Sequence, residues 1–222
     1  MLRYHEGMVV LSPVEARVMG ALIEKEITTP EYYPLSLNAL VNACNQKSNR
    51  DPVVSYDDDT VEDALESLRA KGLAVRITGA GTRVAKHGHR FAEKFNFGRR
   101  ELAILCELML RGPQTVGELR NRSERMHHFD DLDEVETVLQ RLIEREPEPM
   151  VAKVPRQPGE KEGRYAQLLS GEPHVAAAVH ESAPDAPERR DRIAQLEAEV
   201  ARLRADFDFL RAEFADFRRQ FE

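Results

Sequence analysis

Apolar runs long enough to cross a bilayer are missing from this chain. No stretch approaches the roughly twenty consecutive apolar residues a membrane-spanning helix needs. Met1-Leu2-Arg3-Tyr4-His5-Glu6-Gly7 also lacks the apolar core of a secretory signal. A cytoplasmic location without membrane insertion is therefore expected. Cysteine is scarce too. Cys44 and Cys106 stand far apart and form neither a disulfide framework nor a paired metal-ligand spacing. Each falls within an apolar helical pattern, which predicts a small core residue.

Signatures of catalysis are lacking in the same way. Gly79-Ala80-Gly81 does not open a helix, so it is not a phosphate-binding loop. No serine occupies a nucleophile elbow, and neither cysteine has a histidine at a motif spacing. The tight histidine groups are His87-Gly88-His89 and His127-His128. With no cysteine or carboxylate at ligand spacing, the first is expected to be a pair of exposed histidines. The second is expected to pair with Asp130 and Asp131. A non-enzymatic protein without metal or cofactor follows. Positive charge is not in excess either: 32 Lys and Arg against 39 Asp and Glu leave a net charge of −7. That excludes a surface-wide field for nucleic acid but leaves room for a local basic surface.

What the chain does contain is clearest at its C-terminal end. Ile193, Leu196, Val200, Leu203, Phe207, Leu210, Phe214, Phe217 and Phe221 alternate three and four apart, the a/d seam of a coiled coil. With Ile193 at a, the g-to-e pairs are Arg192–Glu197, Glu199–Arg204, Asp206–Arg211 and Glu213–Arg218, all opposite in sign. A parallel homodimer through residues 188–222 is expected. Bulky phenylalanines at a positions keep a trimer open. The competing arrangement, one amphipathic helix folded back on its own domain, needs a wider apolar face than this.

The preceding residues read as one module written twice. In domain 1 (residues 1–97) Ser12-Pro13-Val14-Glu15 is a capping box opening a first helix. Ser36 caps a second helix, and a third begins after Asp59 and stops at Gly72. Leu73–Thr78 and Thr82–Lys86 around Gly79-Ala80-Gly81 predict a β-hairpin. Domain 2 (residues 98–169) repeats the order, with a break at Gly112-Pro113, a helix from Thr115, a third from Leu132 to Arg145, and strands at Met150–Val154 and Arg164–Leu169. The segment Thr60–Leu68 aligns on Glu134–Leu142 without a gap. Three helices followed by a hairpin is a winged helix. The fold expected is mainly α with small β-hairpins, two winged helices in tandem, then a flexible tether (170–187) and the coil.

The run from Leu40 to Val53, with Asn45-Gln46-Lys47-Ser48-Asn49-Arg50-Asp51-Pro52 at its centre, resembles the YceH-like family of bacterial proteins. So do Leu11–Val18 and Arg111-Gly112-Pro113-Gln114-Thr115 with Gly117–Arg120. The resemblance covers about residues 10 to 170 and implies a tandem winged-helix fold. It brings no catalytic or binding residues with it.

Function is read from charge. A recognition helix entering a major groove presents Arg, Lys, Asn or Gln. Here the third helices are acidic: Asp57, Asp58, Asp59, Glu62, Asp63 and Glu66 in one, Asp130, Asp131, Asp133, Glu134 and Glu136 in the other. Basic residues gather in the first wing and its exit, and in the loop before helix three. Lys47, Asn49, Arg50, Arg76, Arg83, Lys86 and Arg90 are the expected contacts to double-stranded DNA. The alternative is a protein-docking scaffold that uses the winged helices and binds no DNA.

Overall fold

The computed structural model describes residues 9–78, 84–156 and 162–171, together with Arg202. Residues 1–174 form one compact unit and residues 175–222 a second. The tether beyond Gly171 and every seam position from Ile193 to Phe221 lie outside the described residues, as does Arg83. In the second unit only Arg202 is described, and it is exposed.

The first helix, α1 (Pro13–Thr28), starts where the sequence places it. Ser12 Oγ accepts from the Glu15 N–H at 3.2 Å, and Glu15 Oε2 accepts from the Ser12 N–H at 2.6 Å. Two donors at the helix start are thereby satisfied. An unbroken run from Glu15 to Glu24 is buried, so α1 has no solvent face in its middle. A short strand β1 (Leu35–Ser36) follows, then α2 (Leu37–Cys44), capped by Ser36, and α3 (Asp58–Ala70), capped by Asp57. Strands β2 (Ala74–Ile77) and β3 (Lys86–His89) complete a three-stranded sheet in the order β1-β3-β2.

A short helix α4 (Phe91–Phe95) leads to the second half: α5 (Arg99–Arg111), α6 (Val116–Ser123), α7 (Leu132–Ile143), β4 (Val151–Val154) and β5 (Arg164–Gln167). Its sequence of parts repeats the first. Thr115 caps α6 through a second capping box. Gln114 forms an antiparallel bridge with Tyr165 on β5, in the position that β1 occupies against β3. The described residues are thus mainly helical, seven helices with small antiparallel strand pairings.

The first hairpin differs from its expected form. Register pairs Ala74 with His89 and Ile77 with Lys86, so residues 78–85 connect the strands. Of the described residues in the expected second strand, Thr82–Lys86, only Lys86 belongs to β3. The strand shifts towards the C-terminus because Leu73 and Ala74 are core residues. Their partners must be the residues nearest the buried Phe91, and the Arg90 N–H donates to Leu73 O at 2.7 Å. His87 and His89 are consequently buried rather than exposed. Gly88 between them admits Tyr33, whose hydroxyl lies 3.2 Å from where a Cβ would stand.

The two halves share a core. No element packs on α1 more extensively than α5. Gly20 makes this closeness possible: a Cβ there would stand 2.8 Å from Leu110 Cγ, and the Cys106 thiol donates to Gly20 O at 3.2 Å. The Leu11 N–H also donates to Leu169 O at 2.6 Å, tying the start of the first half to the end of the second. Gly20→Val should therefore cost about 2 kcal/mol through overpacking. Urea unfolding checks this; an unchanged midpoint would mean that Leu110 yields freely.

Candidate nucleic-acid interface

Of the seven residues expected at a DNA surface, the six described ones do not share one exposed surface. Lys47, Arg76 and Arg90 are exposed, and Lys86 is half-buried at the start of β3. Arg90 is loosely partnered, with Nε 3.9 Å from a Glu93 carboxylate oxygen. Asn49 is half-buried, sits at φ 58°, and its Oδ1 accepts from Arg111 Nη2 at 2.5 Å. Arg50 is 5% exposed and is not available to a phosphate.

The burial of Arg50 has a definite cause. Its Nη2 donates to Glu24 Oε2 at 2.7 Å and its Nη1 to Glu24 Oε1 at 3.3 Å. Nε and Nη2 also reach Ala43 O at 3.1 and 2.8 Å, at the C-terminal end of α2, where carbonyls lack helical partners. Arg125 of the second half closes the set, with Nη2 2.8 Å from Glu24 Oε1. Burial alone would raise the Glu24 pKa. The hydrogen bonds and charge of Arg50, with Lys25 and Arg125, outweigh that and hold the carboxyl below its ordinary range.

The Asn45–Pro52 run is therefore a joint between the halves. Asn45 grips the Tyr56 backbone from both sides, at 2.7 and 2.8 Å. The Asp51 N–H donates to Leu110 O at 3.0 Å, and Arg17 donates to Pro52 O at 2.6 Å. Glu24, Arg17 and Arg125 escape a charge-based search for a binding surface. The available signal was Glu24 itself, a carboxylate lying four residues after Gly20 and one after Ile23 on a buried helix face.

A second buried carboxylate stands nearby. Glu107 on α5 is 1% exposed, and its Oε2 lies 3.3 Å from Arg111 Nε. Burial pushes its pKa up to about 7, with Glu24 adding to the rise and Arg111, Arg125 and Arg122 opposing it. Cys44 and Cys106 are both buried core residues, and burial raises the Cys44 thiol to about 12.

The outward faces of α3 and α7 are acidic, in keeping with the sequence. Asp58, Asp59, Glu62, Asp63 and Glu66 are exposed on α3, as are Asp133 and Glu136 on α7. His128 Nδ1 lies 2.8 Å from Glu124 and its Nε2 3.5 Å from Asp130. Asp131 instead caps α7, and His127 stands 3.8 Å from Glu134. In the first half, His89 Nδ1 accepts from the Phe91 N–H at 3.2 Å while its Nε2 lies 2.8 Å from Glu26. Among the described residues no three His, Cys, Asp or Glu side chains converge as a metal site, and no helix is long and apolar enough to cross a membrane.

Two open grooves flank these elements. One, of about 540 Å³, lies over the outer face of the first sheet between Tyr33, Ile77, Arg76 and Arg90. The other, of about 720 Å³, runs along α7 from Asp133 to Glu144 and is walled by Lys153 and Tyr165.

Comparison with known proteins places the chain. Residues 11–160 match the family model described as "Protein of unknown function, DUF480". A UPF0502 protein of Solibacter usitatus is 60% identical over 216 residues, covering 96% of this chain and 98% of the relative. One from Citrifermentans bemidjiense is 62% identical over 213 residues, with the same coverage of each. A third, from Opitutus terrae, is 55% identical over 195 residues, covering 88% of this chain and 84% of the relative. A family model spanning most of the compact unit and near-full-length identity above one half leave one assignment: the chain belongs to the DUF480, or UPF0502, family of bacterial proteins.

Proposed function

We propose that this protein is a non-catalytic, dimeric tandem winged-helix protein that holds double-stranded DNA by its backbone, through the first wing. The order α1-β1-α2-α3-β2-β3, with sheet order β1-β3-β2, has the parts of a winged helix, and the second half repeats them. The resemblance to the YceH-like family points to the same architecture. The observation that carries the proposal is the separation of charge in the first half. Arg76, Lys86 and Arg90 lie on or beside the β2–β3 hairpin, while the outward face of α3 carries five carboxylates. A groove of phosphates would repel that helix and attract that hairpin. The C-terminal heptads supply a parallel dimer, which raises the effective concentration of the second wing once the first is bound.

Each phosphate-neutralising residue contributes about one unit to the salt slope of binding. Replacing Arg76, Lys86 and Arg90 together by Glu is expected to abolish binding of a mixed-sequence duplex at low salt. Glu62→Gln and Glu136→Gln are expected to leave it intact or tighten it. Fluorescence anisotropy across a salt series tests this, and binding that survives the triple substitution would remove the wing from the interface.

A protein-docking role is the second reading, favoured by the groove along α7. Asp133, Glu136 and Glu144 line it, and its two cations have company: Arg141 stands 3.5 Å from Glu101, and Lys153 lies over the Tyr165 ring. A stoichiometric partner captured by the wild type, and lost when the three carboxylates are made amides, is the expected result on this reading.

A further inference from the structure

Beyond the exposed wing cations, the corner where α3 ends and the paired strands β2 and β3 begin carries an unexplained feature. Arg69 lies in the last turn of α3, and its Nη1 is shielded from solvent without a hydrogen-bond partner. His87, at the centre of the sheet, is 3% exposed, and its Nδ1 is likewise shielded and unpartnered. Arg76 stands directly across from His87 in the β2–β3 register and is exposed. A buried nitrogen left without a partner costs about 1–3 kcal/mol, so two in one corner call for an acceptor. The carboxylate with electrostatic influence on His87 is Glu62, which is exposed and lies about two turns before Arg69 on α3.

We propose that Arg69, Arg76 and His87 form an oxyanion site of phosphate type at the α3–β3 corner of the first half. The inference rests on the backbone-binding reading above and deepens it, because it adds Arg69 and His87, which no charge search on the surface would select. Chemically the corner is suited to one phosphate group. Arg76 presents a solvent-facing guanidinium, Arg69 an inward N–H, and the imidazole a ring nitrogen that donates in the Nδ1–H tautomer. Charge-assisted hydrogen bonds of this kind are about twice as strong as neutral ones. Burial, with the positive charge of Arg69 and Arg76, holds the His87 pKa below its ordinary value, so the imidazole is neutral before the anion arrives. An anion would offset those two guanidinium charges and favour proton uptake by the ring. The oxyanion's source is either the backbone of a duplex or a small phosphate compound.

Inorganic phosphate titrated into the full-length protein, followed by the ring ¹⁵N resonances of His87, separates the cases. The expected result is a saturable shift of His87 that matched chloride does not produce, and that is lost in Arg69→Gln and in Arg76→Gln. Arg76 is exposed, so its substitution leaves folding intact. A His87 signal unmoved by phosphate, or moved equally by chloride or in both variants, overturns the site. A duplex arm by anisotropy reports the function separately. Duplex bound equally by wild type and Arg76→Gln overturns the corner as its contact while backbone binding by the other cations stands. A phosphate shift with no duplex bound keeps the corner, assigns it to a small phosphate compound, and removes the DNA reading.

Discussion

Arg50→Ala is expected to lower the unfolding free energy by about 3–5 kcal/mol, the cost of stranding a buried charge. Domains of this kind have only about 5–15 kcal/mol in total, so the loss removes a large fraction of the margin. The effect is large because of what remains. Glu24 has no exposed surface in its side chain, and loss of Arg50 removes two of its hydrogen bonds, leaving Arg125 at 2.8 Å and Lys25 at 3.6 Å on the solvent side. Ala43 O loses both of its donors from Arg50 at the same time. Lys47→Ala, three residues away and exposed, should change stability by no more than about 0.5 kcal/mol. The pair also predicts its own rescue. Glu24→Leu combined with Arg50→Met removes both charges, and apolar replacements of a buried ion pair are often neutral or better. Arg125 is nearly half-exposed and can return to water. Urea unfolding of the three variants decides the matter. Equal midpoints for Arg50→Ala and Lys47→Ala would show that the Glu24–Arg50 pair is not an internal joint. A double variant weaker than Arg50→Ala would show that the joint works through shape rather than charge.

The same residue marks the boundary of what the sequence could tell. Local signals are reliable where a few neighbouring residues decide the outcome. Ser12, Ser36 and Thr115 each announce a helix start, and each caps one, because the cap is settled within three residues. The gapless match of Thr60–Leu68 on Glu134–Leu142 falls within α3 and α7, whose buried positions coincide at Val61 with Val135, Leu65 with Leu139, and Leu68 with Leu142. Distance in sequence defeats the same approach. Arg50 looks like a surface cation because its carboxylate partner lies 26 residues before it, on α1, and its neighbour Arg125 lies 75 residues after it. The hairpin fails for a related reason. Gly79-Ala80-Gly81 has the composition of a tight turn, but strand register is set by which residues meet the core. The core chose Ala74 opposite His89. Helix α4 was hidden for the opposite reason, since five residues are too few for a periodic signal. Its Phe91 and Phe95 pack edge-on at 4.9 Å, and Phe97 stacks on Phe95. Arg145, from beyond α7, covers Phe95 and Phe97 and donates to Phe95 O at 3.1 Å.

Glu107 makes the second large prediction, and its sign is opposite to that of the buried Glu15 and Glu24 and the half-buried Glu118. Glu15, Glu24 and Glu118 have lowered pKa values, so each contributes stability above the unfolded value that is lost as pH falls. The Glu107 pKa is raised from 4.5 to about 7, so the folded state holds that proton more tightly than the unfolded chain. Its contribution is fully present below pH 4.5 and is lost as pH rises to about 7. Glu107→Gln keeps the shape of the protonated acid and removes the ionisation. At pH 5 variant and wild type should be close in stability. At pH 8 the variant should be the more stable, by up to about 3 kcal/mol at about 1.4 kcal/mol per pKa unit. The difference between the two proteins reports Glu107 together with its charge coupling to Glu24, because the carboxylates that are not coupled to it titrate alike in both. Its arginine neighbour does not reverse the sign. Arg111 Nε stands 3.3 Å away and is itself shielded without a hydrogen bond, so the ion pair compensates only part of the cost of burial. The measurement is urea unfolding of both proteins at several pH values from 5 to 8. A stability difference that grows with pH places a proton on Glu107 in the folded state at neutral pH. A flat difference, or one favouring the wild type at pH 8, would mean that the carboxylate is ionised beside Arg111 and forms a full salt bridge with it within α5.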